Sequence, residues 1–323
     1  RGLGDVYKRQ DMAKSAGTGA VMKKKKHLKK YITLYLIFLP VAIWYIIFKY
    51  IPMGGIIIAF KSFSPMKGIG GSPFVGMANF ERLFKSSAFL SVLKNNIILS
   101  VMDICIVFPA PIILALSINE VKNKMGKRVV QSITYLPHFI SWAVAGGLFY
   151  MFFSVSTGPV NAVIKAAGGA GINFMGSSVW YRWMVVLSSV WKEVGWGSIV
   201  YLAAITGVDE ELYEAAAIDG ANRWNCLRYI TLPGISSVIS VMLIMRVGAI
   251  LSLNFDQTFA MLNDSVLSVG ETIEYYVYRV GMSSVNNYSL GTAIGLFKSL
   301  IGFVMVLGAN WASKRISEDG GIW

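Results

Sequence analysis

The sequence predicts an all-α, polytopic membrane protein with six transmembrane helices and both termini on the inner side of the membrane. Three observations carry this expectation. Hydrophobic residues make up 55% of the 323-residue chain and charged residues only 15%, whereas a soluble domain has about 25% charged residues. Uncharged apolar runs of helix-spanning length recur along the chain, and about 20 such residues cross the hydrocarbon core. Lysine and arginine gather in alternate connecting segments, as the positive-inside rule requires. With a mean hydropathy of +0.57, the composition argues against both a water-soluble enzyme and a disordered chain. In so apolar a chain the net charge of +13 points to basic loops on the cytoplasmic face rather than to nucleic acid. Cys105, Cys226, His27 and His138 are the complete supply of their types, too few for a disulfide framework or a zinc enzyme.

Taken in order, residues 1–21 are polar, Gly-rich and without periodicity, and are expected to be a disordered or non-native leader. Residues 22–30 carry Lys23 to Lys26, Lys29 and Lys30 and form a basic cytoplasmic segment. Residues 31–60 hold the first transmembrane helix, with its core at 31–48, and the start of an outer loop. No small-residue cleavage site follows the run, so an uncleaved anchor fits better than a signal peptide. The second span is expected at 95–117, interrupted only by Asp103, and the third at 131–153, which has no formal charge. The fourth, at 183–206, contains Lys192 and Glu193; the fifth, at 234–255, contains Arg246; the sixth, at 290–311, contains Lys298. Residues 316–323 are left as a C-terminal tail. With the N-terminus inside, the inner segments hold 18 of the 30 Lys and Arg and the outer ones 9. Removing the leader leaves 14 against 9, and both counts favour inner termini.

Residues 207–233 are too polar to span and too patterned for a plain loop. Asp209 is a good N-cap, Glu210 and Glu211 complement the dipole of the first turn, and Ala215 to Ala217 favour helix. Gly220 is a natural helix stop, and Asn222 can cap a second short helix from Arg223 to about Ile230, ended by Leu232 and Pro233. Two short helices bent at Gly220, with a small-residue face of Leu212, Ala215 and Ala216, would let another surface approach closely. Glu214 and Asp219 would meet its cations.

The order Glu214-Ala215-Ala216, Gly220, Ile230 and Leu232-Pro233 resembles the EAA loop of the permeases of ABC importers. With Ile218-Asp219-Gly220-Ala221 it is similar to the sugar-importing branch. Segments 48–53, 79–80 and 276–281 resemble the polysaccharide or aldouronate-type permeases. The resemblance implies a type I importer transmembrane domain over residues 90–315, with the EAA loop (Glu214, Ala215, Ala216, Asp219, Gly220, Ile230, Leu232, Pro233) coupling it to an ATPase. It also implies a second, homologous permease, cytosolic ATPase subunits that bind ATP and Mg, an extracytoplasmic solute-binding protein, and a place in a bacterial cell membrane. No nucleic acid enters, and no cofactor is expected in this chain. Consistent with that, Gly126-Lys127 is followed by Arg128 and lacks the upstream glycine of a phosphate-binding loop. A gradient-driven secondary transporter or a channel is the competing class, and would leave the 214–233 pattern without a purpose.

Charges within a bilayer need partners or water. Depth along the helices makes the pairs Glu193 with Arg246 and Asp103 with Lys298 feasible, serving either to fix helix packing or to line a pathway. Lys192 and Glu193 are adjacent and diverge by about 100°, so simple mutual neutralisation is not expected. Trp191 and Trp196, together with Trp142 and Tyr150, could stack on sugar rings or simply pack. Gly291, Gly295, Ser299 and Gly302 form a small-residue stripe suited to close helix packing. The outer loop at 257–289, with Glu271, Glu274, Tyr275, Tyr276, Tyr278 and Arg279, is long enough to be functional, and a binding protein is its natural partner.

Overall fold

The computed structural model describes residues 20–283 and 286–316, with side chains from residue 31 to 315. The expectations for residues 1–19 and 317–323 lie outside these. The described residues are helical almost throughout; their β-structure is one isolated bridge, Lys61 with Phe74. The chain divides into two compact units, residues 1–57 and 58–323. The first holds α1 (Ala20–Tyr45), which accommodates Pro40 and runs on through a π turn at Ile46–Tyr50.

The second unit begins with α2 (Ala78–Lys85). A 33-residue membrane-length helix, Ser87–Asn119, follows. It is built from α3 (Ser87–Met102), a π turn at Asp103–Val107 and α4 (Pro109–Asn119). The π turn has a plain cause. Pro109 and Pro111 bring no amide hydrogens, and the Phe108 N–H reaches back five residues to the Asp103 carbonyl at 2.8 Å.

The expected continuous third span is broken. The chain forms α5 (Lys124–Tyr135), a single 3-10 turn Leu136–Phe139, and then α6 (Trp142–Phe152). Pro137 contributes no N–H, Ile140 is extended, and the Ser141 side chain caps α6 by accepting from Val144 N at 3.3 Å. Freedom from charge located an apolar region there, but the break is written in Pro137 and Ser141.

After α7 (Pro159–Ala166), the 25-residue α8 (Tyr181–Ile205) spans roughly 37 Å at 1.5 Å per residue. It runs along α4, with Ala115, Ile118, Tyr201, Leu202 and Ile205 in one buried cluster with Ile235. It also crosses α5 at a point where only glycine fits: a Cβ on Gly195 would stand 2.0 Å from the Thr134 carbonyl oxygen.

The fifth span differs from expectation at both ends. After α9 (Glu210–Ile218) and α10 (Arg223–Cys226), the chain stays helical to Gly234, bends by 60° at Ile235, and forms α11 (Ser236–Gly248). It then leaves the helical path at residues 249–254 and turns back through α12 (Phe255–Met261) and α13 (Ile273–Tyr278) before α14 (Tyr288–Ile316). Irregular backbone inside a membrane protein requires internal partners, and α3 supplies them. Asn96 Nδ2 donates to the Ile250 carbonyl at 3.1 Å, Ser100 Oγ donates to the same oxygen, and the Ile273 N–H donates to Asn96 Oδ1 at 3.1 Å. Asn95 bonds the Ser268 carbonyl at 2.8 Å and accepts from Arg182 at 2.9 Å.

The small-residue stripe on α14 does not act as one face. Gly291 lies against Gly281 and Gly302 against the Gly248 carbonyl, whereas Gly295 faces open space and Ser299 is exposed.

Candidate functional site

A cavity of about 620 Å³ opens among α3, α4, α8, α11 and α12. Asp103, Glu193, Trp196 and Arg246 line it together with Trp142, Ser189, Asn254 and Gln257. The π turn at Asp103–Val107 faces it, and so does the non-helical stretch after α11. Both are places where the regular ladder is interrupted and backbone and side chain can be re-aimed.

The charge partners are not those that depth suggested. Arg246 pairs with Asp103, with Nε and Nη2 each 2.5 Å from one carboxylate oxygen. Glu193 instead meets His138, at 2.8 Å between Oε2 and Nδ1, and Lys192 at 3.8 Å. Lys298 pairs with Glu274 of α13. Depth fixes only a coordinate along the membrane normal, and the azimuth of each side chain depends on packing. Lys192 and Glu193 do neutralise each other in part, because the long lysine bends back toward its neighbour. The Lys192 ammonium also donates to the His138 carbonyl at 2.6 Å, where the 3-10 turn leaves an acceptor free, and sits 5.5 Å above the Trp142 ring.

Three aromatic expectations resolve differently. The Trp196 ring stacks on the His138 imidazole at 4.5 Å and 3°, yet the residue remains 45% exposed. Trp191 packs into the cluster of Trp142, Phe149 and Met184, edge-on to Phe149 at 5.8 Å, and does not line the cavity. The Tyr150 hydroxyl donates to the Met261 carbonyl at 2.8 Å, a structural bond. Lys298 also lies away from the cavity lining. Gln257 was missed among candidate pathway residues: its amide lies 2.8 Å from the Val185 carbonyl and 2.9 Å from the Ser188 and Ser189 hydroxyls. The Asn254 N-cap, which accepts from Gln257 N at 3.1 Å, was the available signal that a helix starts there.

The Asp103–Arg246 pair joins the π turn after α3 to α11, so neutral replacements at each should lower thermal stability, and the double replacement should recover part of the loss. We expect a coupling of about 0.5–3 kcal/mol in the double-mutant cycle. Glu193 and Arg246, which do not pair, should be additive.

The polar loop has the expected caps and the expected bend at Gly220, but not the expected end. Asp209 caps α9 (Glu210–Ile218) by accepting from Glu211 N at 3.0 Å. Gly220 has φ +76°, and the N–H groups of Gly220 and Ala221 donate to Ala217 and Ala216 at 3.2 and 2.9 Å, closing a Schellman motif. Asn222 caps α10 (Arg223–Cys226), accepting from Asn225 N at 2.8 Å. Ile230 lies in a π turn at Leu227–Thr231, and the helical path continues past Leu232 and Pro233 to Gly234 rather than ending at them. Pro233 occupies an early position of a short helical turn, where its missing N–H is tolerated. The two short helices are tied by Tyr213 and Thr231, hydroxyl to hydroxyl at 2.9 Å. Glu214, Ala215, Asp219 and Gly220 are exposed, and so is Ile218, at 87%.

Long apolar helices around a cavity lined with charged side chains define the class, a helical membrane protein. Residues 107–318 match the family described as binding-protein-dependent transport system inner membrane component, and the chain belongs to that family. Its members are membrane transport subunits, not enzymes. The chain is 43% identical to protein LplB of Bacillus subtilis over 91% of this chain and 92% of the other. It is 41% identical to the polygalacturonan/rhamnogalacturonan transport system permease protein YteP of the same organism, over 95% and 98%. It superposes with a TM-score of 0.85 and 39% identity on a chain of a bacterial ABC transporter involved in import of the acidic polysaccharide alginate, covering 91% of this chain and 99% of that one. A second structure of that kind holds a periplasmic protein with bound alginate pentasaccharide.

Proposed function

We propose that this permease forms half of the pathway of an ATP-driven oligosaccharide importer in a bacterial cell membrane. In this reading it crosses the membrane six times, with both termini inside. A second, homologous permease supplies the other half of the cavity. Cytosolic ATPase subunits hold ATP and Mg and receive the elbow of α9 and α10. An extracytoplasmic binding protein delivers the sugar to the outer segments around α12 and α13. The observation that carries the reading is the joint presence of a cavity lined by Asp103, Glu193, Arg246 and indole rings and of the Gly220 elbow on one chain. The names of the relatives point the same way.

Lys192 and Glu193 give the broken third span a role here. The lysine fastens the 3-10 turn, the glutamate fixes His138, and His138 holds Trp196 flat so that its other face is presented for stacking on a sugar ring. The test is uptake of labelled oligogalacturonate by cells lacking the gene and by cells carrying it again. Uptake should vanish on deletion and return with the intact chain, while monosaccharide uptake stays constant. Unchanged oligosaccharide uptake in the deletion strain would overturn the substrate assignment.

A further inference from the structure

We propose that Arg246 is a specificity-determining residue of the pathway and reads a carboxylate on the saccharide, so that the cavity favours uronate-containing over neutral oligosaccharides. This rests on the cavity being the sugar pathway. A guanidinium offers two forked edges, one made by Nε and one Nη and the other by the two Nη groups. Asp103 takes the first, through Nε and Nη2. Nη1 has no partner among the described residues, which leaves the second edge for an incoming group. Both line the cavity, and the arginine side chain is the more open of the two, 44% exposed against 17% for Asp103. A pair serving only to join two helices would bury both members alike.

The surrounding charges are consistent with this. Glu193, the other carboxylate on the cavity wall, is engaged by His138 and Lys192, so its charge is compensated locally. Trp196 offers an exposed ring in the same cavity. A stacking face and a free guanidinium edge together match a sugar ring that bears a carboxylate. The Asp103 partner keeps the arginine oriented and tempers its charge, so that a bound carboxylate is held and then released.

The experiment uses the complete importer in nanodiscs, without its binding protein, and two probes of equal length: labelled tetragalacturonate and its carboxyl-reduced, neutral counterpart. The wild type should bind the acid about tenfold more tightly, the worth of one charged hydrogen-bond pair. Arg246→Gln should remove that preference, so that the acid and the neutral probe bind equally. Arg246→Lys, which keeps the charge and loses the fork, should retain only part of it. Asp103→Asn should increase the preference, because it frees the guanidinium; a purely structural pair would weaken both probes in both variants. If Arg246→Gln does not assemble, the sign of the Asp103→Asn effect decides alone. Equal wild-type binding of the two probes, or an unchanged or reduced preference in Asp103→Asn, overturns the proposal. Uptake of both probes into proteoliposomes with the binding protein present separates the two readings. Equal binding with normal uptake removes only the role of Arg246, and uptake of neither probe removes the saccharide pathway itself.

Discussion

Replacing Gly220 with valine is expected to yield a permease that inserts and assembles in the membrane but no longer answers its ATPase. Gly220 sits at φ +76°, and its amide closes one of the two bonds of the Schellman motif that ends α9. A β-branched residue in that region costs about 1–3 kcal/mol. The chain can avoid this only by rotating α9 against α10, which strains the Tyr213–Thr231 link. Asparagine tolerates a left-handed backbone, so Gly220→Asn should stay near the wild type. Glu214→Lys changes no backbone angle and tests the chemistry instead, placing a cation where a carboxylate is exposed. For Gly220→Val and Glu214→Lys, ATP hydrolysis stimulated by loaded binding protein should fall about fivefold or more, the range that such energies imply. Wild-type stimulation and wild-type co-purification of the ATPase in both variants would show that the elbow is not the transmission element.

The second large effect is expected at Gly195, far from any docking surface. A methyl group there would lie 2.0 Å from Thr134 O and 2.3 Å from Thr134 C, both backbone atoms that cannot swing aside. Gly195→Ala must push α8 away from α5. That disturbs the neighbouring bond from Lys192 to the His138 carbonyl and the stack of His138 on Trp196. Overpacking of this kind costs about 1–3 kcal/mol and occasionally more. The purified permease should therefore melt several degrees lower and transport poorly. Gly295→Ala, on the 29-residue α14 but facing open space, is the control and should melt like the wild type. Equal melting of the two variants would refute the crossing.

What could be read in advance follows from the range of the forces involved. The elbow was legible because capping, dipole and left-handed glycine effects act over four or five residues, all present between Asp209 and Asn222. Among the described residues, the apolar runs expected at 31–48, 95–117 and 290–311 were legible for the same kind of reason, since the bilayer sets a length and these helices meet it. The charge pairs were not legible. Depth suggested Arg246 with Glu193 and Asp103 with Lys298, but the actual pairing depends on how α3, α8 and α11 turn about their axes. The turn back after Gly248 was hidden because its stabilising partners, Asn96 and Ser100, lie some 150 residues earlier in the chain. Trp191 and Trp196 looked alike in sequence, and only helix azimuth sends one into the core and the other to the cavity wall.

Transport by purified components separates an importer half from a self-sufficient carrier. The chain is reconstituted into proteoliposomes twice, once alone and once with its second permease and ATPase, with loaded binding protein outside in both cases. The expected result is accumulation of labelled oligosaccharide only in the complete assembly and only with ATP and Mg inside, with none in the chain alone under a proton or sodium gradient. Gradient-driven accumulation by the chain alone would contradict the account at its centre.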